Sequence, residues 1–295
     1  SLLGNDKSQL TATAFTSEDV MAATFNTEIM TEIGKVIGNN CLEADIACLY
    51  GPGNNIHRTP YGGRNFEYYS EDGFLSGMMS AYEVKAIQDK GVHVVMKHFA
   101  LNDCEQDRIG LGVWLNEQAA REVYLKAFQA PVEVGNANGV MIAYTRWGAV
   151  WSGGNYGLVT GILRNEWGFQ GLISEDFIQN ANYVVLKEAV LNGVTMSCNT
   201  GDNTMAAVSE KYPYWTVEAV SQDTTMMTAL KQAMKYQNYA LANSNAMDGM
   251  ASSTRLVSVR TWYDNALVAV QVVFAALTVL AAAMYVLNDR KSKKQ

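Results

Sequence analysis

Positive charge is scarce in this chain: 22 Lys and Arg stand against 29 Asp and Glu, a formal net charge of −7. The body of the chain gathers no Lys and Arg into the stripe that phosphate binding needs, so nucleic acid is excluded as a partner. Cysteine is scarce too. Cys41, Cys48, Cys104 and Cys198 are scattered and form no CxxC pair, and histidine is limited to His57, His93 and His98. Neither a disulfide framework nor a metal site is expected. There is no internal repeat and no low-complexity segment. No secretory leader opens the chain, whose first residue is Ser1, so the expectation is that further sequence lies upstream. What is present suits a folded protein: 295 residues, 48% hydrophobic and 17% charged, enough for a sizeable core.

The sharpest change of composition lies at the far end. Residues 266–287 carry no charge and are interrupted only by Gln271 and Thr278. About 20 apolar residues at 1.5 Å each cross a hydrocarbon core of ~30 Å. Trp262 and Tyr263 precede the run and Tyr285 lies near its end, where ring side chains favour the membrane interface. Arg290, Lys291, Lys293 and Lys294 follow, with only Asp289 against them. The pattern reads as a linker over 251–265, a transmembrane helix over 266–287 in contact with lipid, and a basic cytoplasmic tail over 288–295. The expected localisation is a single-pass cell-membrane protein with residues 1–250 outside the cell. The competing reading, a buried core helix, would call for a polar face that the run does not have.

Strand and helix patterns alternate through the first 200 residues. Apolar Met21, Phe25, Ile29, Ile33 and Ile37 predict a helix over 20–40, with further helices over 75–90, 117–133, 160–166, 183–191 and 226–242. Strands are predicted over 44–50, 92–96, 139–144, 171–174 and 194–198. Such alternation implies a parallel sheet with helices outside, and in such folds the chemistry sits at the C-terminal ends of the strands. Polar residues do follow each strand: Asn54 and Asn55, Lys97 and His98, Tyr144, Asp176, then Asn199 and Asp202. Read singly they stay open. Lys97 and His98 are a satisfied loop pair or a functional one, Asp176 is a helix cap or a reactive carboxylate, Arg64 and Glu67 are a surface ion pair or a site, and Tyr144 is core or ligand.

Read together they resemble a known family. The run from Gly51 to Asp72, Gly-Pro-Gly-Asn-Asn-Ile-His-Arg-Thr-Pro-Tyr-Gly-Gly-Arg-Asn-Phe-Glu-Tyr-Tyr-Ser-Glu-Asp, is similar to the long signature loop of family 3 glycoside hydrolases, the β-glucosidase group. The run from Lys97 to Arg108, Lys-His-Phe-Ala-Leu-Asn-Asp-Cys-Glu-Gln-Asp-Arg, resembles that family's second signature. Arg121 to Leu125 and Leu163 to Gly171 resemble the helix and loop ahead of its nucleophile strand. The resemblance implies a (β/α)8 TIM-type barrel, α/β in class, incomplete at its N-terminal end and occupying residues 1–250. It also implies no cofactor. Asp176 becomes the catalytic nucleophile, and Arg64, Lys97, His98 and Tyr144 become ligands or neighbours of the sugar. Trp147 and Phe177 are offered as an aromatic platform. Lys97 and Arg64 are expected to keep Asp176 ionised, with Glu67 and Glu105 holding those cations in place.

The chain also departs from that pattern. Phe177 stands where the family often has Trp, Ala143 and Thr145 flank Tyr144 where many members read Ser and Asn, and Ala100 to Asp103 replace the Pro-Gly-His-Gly of the N-acetylglucosamine-removing branch. An Asp-Gly-Pro motif and an α/β sandwich domain carrying the acid/base glutamate have no counterpart in these 295 residues. The expectation is therefore the C-terminal part of a domain-permuted member, its partner a sandwich domain of the same protein and its substrate a β-glycoside or oligosaccharide. Glu175 is not expected to supply the acid/base, because neighbouring strand residues face opposite ways. The rival expectation is a membrane-anchored carbohydrate-binding protein that has lost catalysis.

Overall fold

The computed structural model describes residues 13–178, 183–198, 216–247 and 262–292, with backbone alone at 262–264, 282–283 and 285–292. Two compact units divide the chain, residues 1–249 and 250–295. Asn199, Asp202, most of the expected linker and the end of the basic tail lie outside the described residues, as do the side chains of Trp262, Tyr263 and Tyr285.

The helix expected over 20–40 is two. Helix α1, Glu18–Ala22, ends short of Asn26, which caps α2, Thr27–Glu43, by accepting from the N–H groups of Glu28 and Ile29. Between them Phe25 takes a φ of 50° and is 74% exposed. Of the expected stripe, Met21 is buried and Ile33 and Ile37 pack half-buried against the core, while Phe25 and Ile29 are exposed; the most buried residues of α2 lie beside that stripe. They are Met30, Gly34, Gly38 and Cys41. These small residues face α3, Gly73–Gln88, at backbone range: a Cβ on Gly34 would stand 2.6 Å from the Glu83 carbonyl oxygen. Close approach here selects glycine over larger side chains and sets the seam one residue along from Ile33 and Ile37.

The strands form an arc. Strand β1, Cys48–Leu49, pairs in parallel with β2, His93–Val94; β3, Met96–Phe99, pairs with β5, Gly139–Ile142, which pairs with β8, Leu172–Glu175. Parallel bridges from Gly53 to Lys97 and from Ser174 to Met196 extend the arc at both ends. Five chain segments are thus neighbours in chain order, all parallel, the arrangement of a (β/α) barrel. The last segment, expected as a strand over 194–198, makes only the single bridge at Met196.

Side chains alternate across the arc. Val94, Met96, Val140, Ile142 and Ile173 face the helices and form the main core with Val84, Ile87, Phe128, Leu158 and Leu163. Val95, Met141 and Leu172 face the other way, packed with Met196 and with Ala240 of a long helix, Thr224–Ala242. The helix expected over 117–133 comprises α4, Glu117–Ala119, a π-helical turn, Ala120–Tyr124, and α5, Lys126–Glu133; the one over 160–166 is the end of a π-helix, Gly157–Glu166. A small sheet stands apart: β4, Gly112–Val113, runs parallel to β6, Arg146–Trp147, which turns back antiparallel into β7, Val150–Trp151.

The second unit contains one helix, Trp262–Ser292, within which the expected span over 266–287 falls. Among the described residues no helix is long and apolar enough to cross a membrane, so the expected transmembrane segment is not supported.

Candidate active site

The expected polar residues meet at the C-terminal ends of the parallel strands. Lys97 and His98 lie within β3, Asp176 follows β8, Tyr144 follows β5, and Arg64 comes from the long loop after β1. That loop is pinned to the sheet by a reciprocal pair: the Asn55 amide donates to the His98 carbonyl at 3.0 Å, and the His98 N–H donates to Asn55 Oδ1 at 2.9 Å. Asn54 anchors it to α5 through the Ala127 carbonyl at 2.9 Å. His57 closes the loop on itself, its Nε2 standing 2.9 Å from the Asn65 carbonyl and 2.8 Å from that of Tyr68.

Charges alternate through the site. Glu67 accepts from Arg64 and lies 3.3 Å from Lys97 Nζ. Glu105 lies 3.6 Å from Arg64 Nη1 and 3.4 Å from Arg108 Nε, and accepts from the Asn102 amide at 2.8 Å. Both carboxylates hold cations in place, as the sequence led us to expect. Burial works to raise Glu67, but the Arg64 hydrogen bond and the Lys97 charge prevail and hold it below the usual carboxylate range.

Asp176 is 8% exposed. Its Oδ1 accepts the Phe177 N–H at 2.8 Å, and its Oδ2, buried, has no hydrogen-bond partner among the described residues. Two donors stand just beyond hydrogen-bond reach of Oδ2: Arg108 Nη1 at 3.7 Å, itself buried and unpartnered, and His98 Nε2 at 3.8 Å. The cation beside Asp176 is therefore Arg108, not Lys97 or Arg64. Burial raises the Asp176 carboxyl above its ordinary value, and the Phe177 N–H, Arg108, Arg64 and Lys97 offset only part of that rise. Lys97 and Arg64 act in the expected direction, with Arg108 as the nearer cation. His98, 2% exposed, is pushed well down by burial, then by Arg64, Lys97 and Arg108, so it is neutral at pH 7. Its other ring nitrogen, Nδ1, lies 3.2 Å from the Tyr68 hydroxyl, which also accepts from Asn102.

Tyr144 does not touch the carboxylate. Its hydroxyl donates to the Phe177 carbonyl, its carbonyl accepts from the Tyr183 hydroxyl, and the Arg108 guanidinium lies over its ring at 4.8 Å. Of the two platform candidates, Phe177 is exposed beside Asp176, whereas Trp147 is half-buried against the main core. Glu175 is turned away: it accepts the Cys198 N–H at 3.1 Å, on the face opposite Asp176. Among the described residues, no cluster of three or more His, Cys, Asp or Glu could hold a metal ion. The residue overlooked in the sequence is Arg108. Its only signal was its place at the end of the second signature run.

This geometry has relatives. Residues 3–235 match the model of the glycosyl hydrolase family 3 N terminal domain. The chain belongs to glycosyl hydrolase family 3. Over 205 residues it is 38% identical to a beta-glucosidase of Ruminococcus albus, an alignment covering 65% of this chain and 22% of that protein. It is 37% identical over 166 residues to an exo-alpha-(1->6)-L-arabinopyranosidase of Bifidobacterium longum, covering 56% of this chain and 22% of that protein. The structure of beta-glucosidase 3B from Thermotoga neapolitana superposes with a TM-score of 0.74 at 31% identity, over 85% of this chain and 35% of that one. The chain thus spans about a quarter of the length of these curated family 3 relatives.

Proposed function

We propose that the protein removes terminal non-reducing β-D-glucosyl residues from oligosaccharides or glucosides by a retaining double displacement. Asp176 Oδ2 attacks the anomeric carbon while the glycosidic oxygen leaves with a proton from an acid. Water then cleaves the glycosyl ester, giving its proton back to the same group. The observation that carries this reading is Oδ2 itself: a buried carboxylate oxygen at a strand C-terminus, without a hydrogen-bond partner among the described residues and facing Arg108 at 3.7 Å. The family 3 relatives, beta-glucosidases among them, supply the substrate class. The arabinopyranosidase relative supports a second sugar at the same level of identity.

Glu67 and Glu105 are engaged with cations and Glu175 faces the Cys198 backbone. The acid/base is therefore proposed to come from a sandwich domain outside these 295 residues, in the permuted order that the sequence suggested. Location at a cell membrane, with residues 1–250 outside, is likewise a proposal, supported by the uncharged run 266–287 and the basic residues after it. Alkaline extraction of membranes tests it: retention that is lost on deleting 266–287 supports it, and release of the intact chain refutes it.

Asp176→Asn is expected to cut hydrolysis of an aryl β-D-glucoside by the whole protein by roughly 10⁴-fold or more, with unchanged folding. Unaltered hydrolysis would remove Asp176 from the nucleophile role. Running aryl β-D-glucoside beside aryl α-L-arabinopyranoside decides between the two sugars.

A further inference from the structure

Trp114 is 79% exposed. It follows β4, where Val113 turns inward to pack on the main core, so alternation sends the indole outward. The indole does not wave free there. A Cβ on Gly112 would stand 3.3 Å from its Nε1, and one on Gly148 would stand 3.5 Å from its Cζ3. The ring therefore lies across bare backbone at two glycines. Gly148 has a φ of +62°, a conformation that disfavours side chains, so the bed stays flat. The indole borders backbone at these two glycines and most of its surface is exposed to solvent.

From this we infer that Trp114 is a stacking platform for a sugar unit beyond the one at Asp176, which makes the substrate a β-linked oligosaccharide longer than a disaccharide. The inference rests on the reading of Asp176 as the reactive carboxylate. The chemistry fits a neutral saccharide: a pyranose ring has one face rich in C–H groups, and these are attracted to the negative face of an aromatic ring. An exposed apolar surface held in one orientation is what such a ligand needs. The position fits as well. Strand β4 starts four residues after Arg108 and β6 starts two residues after Tyr144, so both grow out of segments that flank Asp176. Six residues separate Trp114 from Arg108, at most ~20 Å of extended chain.

The small sheet is firmly joined to the site. The Arg146 N–H donates to the Leu111 carbonyl and the Gly148 N–H to the Val113 carbonyl, each at 2.8 Å. The Arg146 guanidinium lies 4.8 Å over the Tyr183 ring, and the Tyr183 hydroxyl donates to the Tyr144 carbonyl. These contacts tie the small sheet to the strand end that carries Tyr144.

Calorimetric titration of the full 295-residue chain with glucose and with β-linked glucose oligomers of increasing length tests this. Affinity is expected to rise roughly 2- to 10-fold from the disaccharide to the pentasaccharide, the amount one aromatic stack supplies. Trp114→Ala should abolish that rise while leaving glucose affinity and the thermal midpoint unchanged, and Trp114→Phe should keep part of it. Glucose binding with no gain on lengthening, or a gain that survives Trp114→Ala, overturns the platform and leaves the Asp176 reading standing. Binding of the pentasaccharide alone, lost in Trp114→Ala, supports the platform and sinks the glucose pocket. No binding at any length overturns both.

Discussion

At the scale of single residues, the site is governed by competition between burial and charge. Burial raises the Asp176 carboxyl, which disfavours the ionised form that attack requires; Arg108, at 3.7 Å, is the nearest cation working against that rise. Removing Arg108 should therefore push Asp176 further up. In Arg108→Ala the acid limb of the pH profile for kcat/KM is expected to move to higher pH, because the carboxylate proposed as nucleophile is lost to protonation sooner. An unmoved limb would show that Arg108 does not set the ionisation of Asp176. Glu67 behaves oppositely: Arg64 and Lys97 overcome its burial, so it remains an anion that fixes both cations.

At the scale of elements, the α2–α3 contact shows how small residues decide a packed face. Gly34 and Gly38 face α3, while Ile29, which helical periodicity singled out, is 41% exposed. Gly34→Leu has no room beside the Glu83 carbonyl and is expected to destabilise the chain by about 2 kcal/mol or more. Ile29→Ala should change stability by less than about 1 kcal/mol, since little area is lost. Urea unfolding of the two variants checks the pair, and the reverse ranking would restore the aliphatic face. The periodicity located Ile33 and Ile37 on the core side but not the glycine seam beside them, because a helix can bury its smallest side chains where its neighbour approaches at backbone range. The strands were the easier elements: apolar residues on both faces of 92–96, 139–144 and 171–174 leave little doubt of a buried parallel strand, and β2, β3, β5 and β8 lie at or within two or three residues of those limits.

At the scale of the whole molecule, several carboxyls are buried away from the site. Asp103 and Glu175 are each pushed up to about 7 by burial, with backbone N–H groups opposing. In the unfolded chain such groups titrate near 4, so between about 4 and 7 the folded state binds more protons and loses stability as pH rises. His93, lowered to about 4 by burial, acts in the other direction below pH ~6.5, so the informative quantity is a difference between proteins. The thermal midpoint of an Asp103→Asn, Glu175→Gln double variant, relative to the parent, is expected to grow more favourable from pH 5 to pH 8. A pH-independent difference would mean that neither carboxyl is neutral in the folded chain.

How much of the site was legible follows from the same distinction between local pattern and spatial meeting. Residues at strand ends, Lys97, His98 and Asp176, announced themselves by position. The partnership of Glu67 and Glu105 with the cations followed from the signature runs. Arg108 did not stand out, because it reaches Asp176 from a loop whose course no periodicity encodes. Trp114 escaped notice because its support comes from Gly148, far along the chain. The uncharged run at 266–287 was legible as composition, and among the described residues no helix is long and apolar enough to cross a membrane.

Covalent trapping tests whether Asp176 is the nucleophile. Incubating the 295-residue chain with a 2-deoxy-2-fluoro-β-D-glucoside bearing a dinitrophenolate leaving group asks this directly, since so good a leaving group departs without help from an acid. Intact and peptide mass spectrometry should then show one fluoroglucosyl adduct, carried by Asp176 and absent in Asp176→Asn. An unlabelled chain, or an adduct on Glu67, Glu105 or Glu175, would contradict the account.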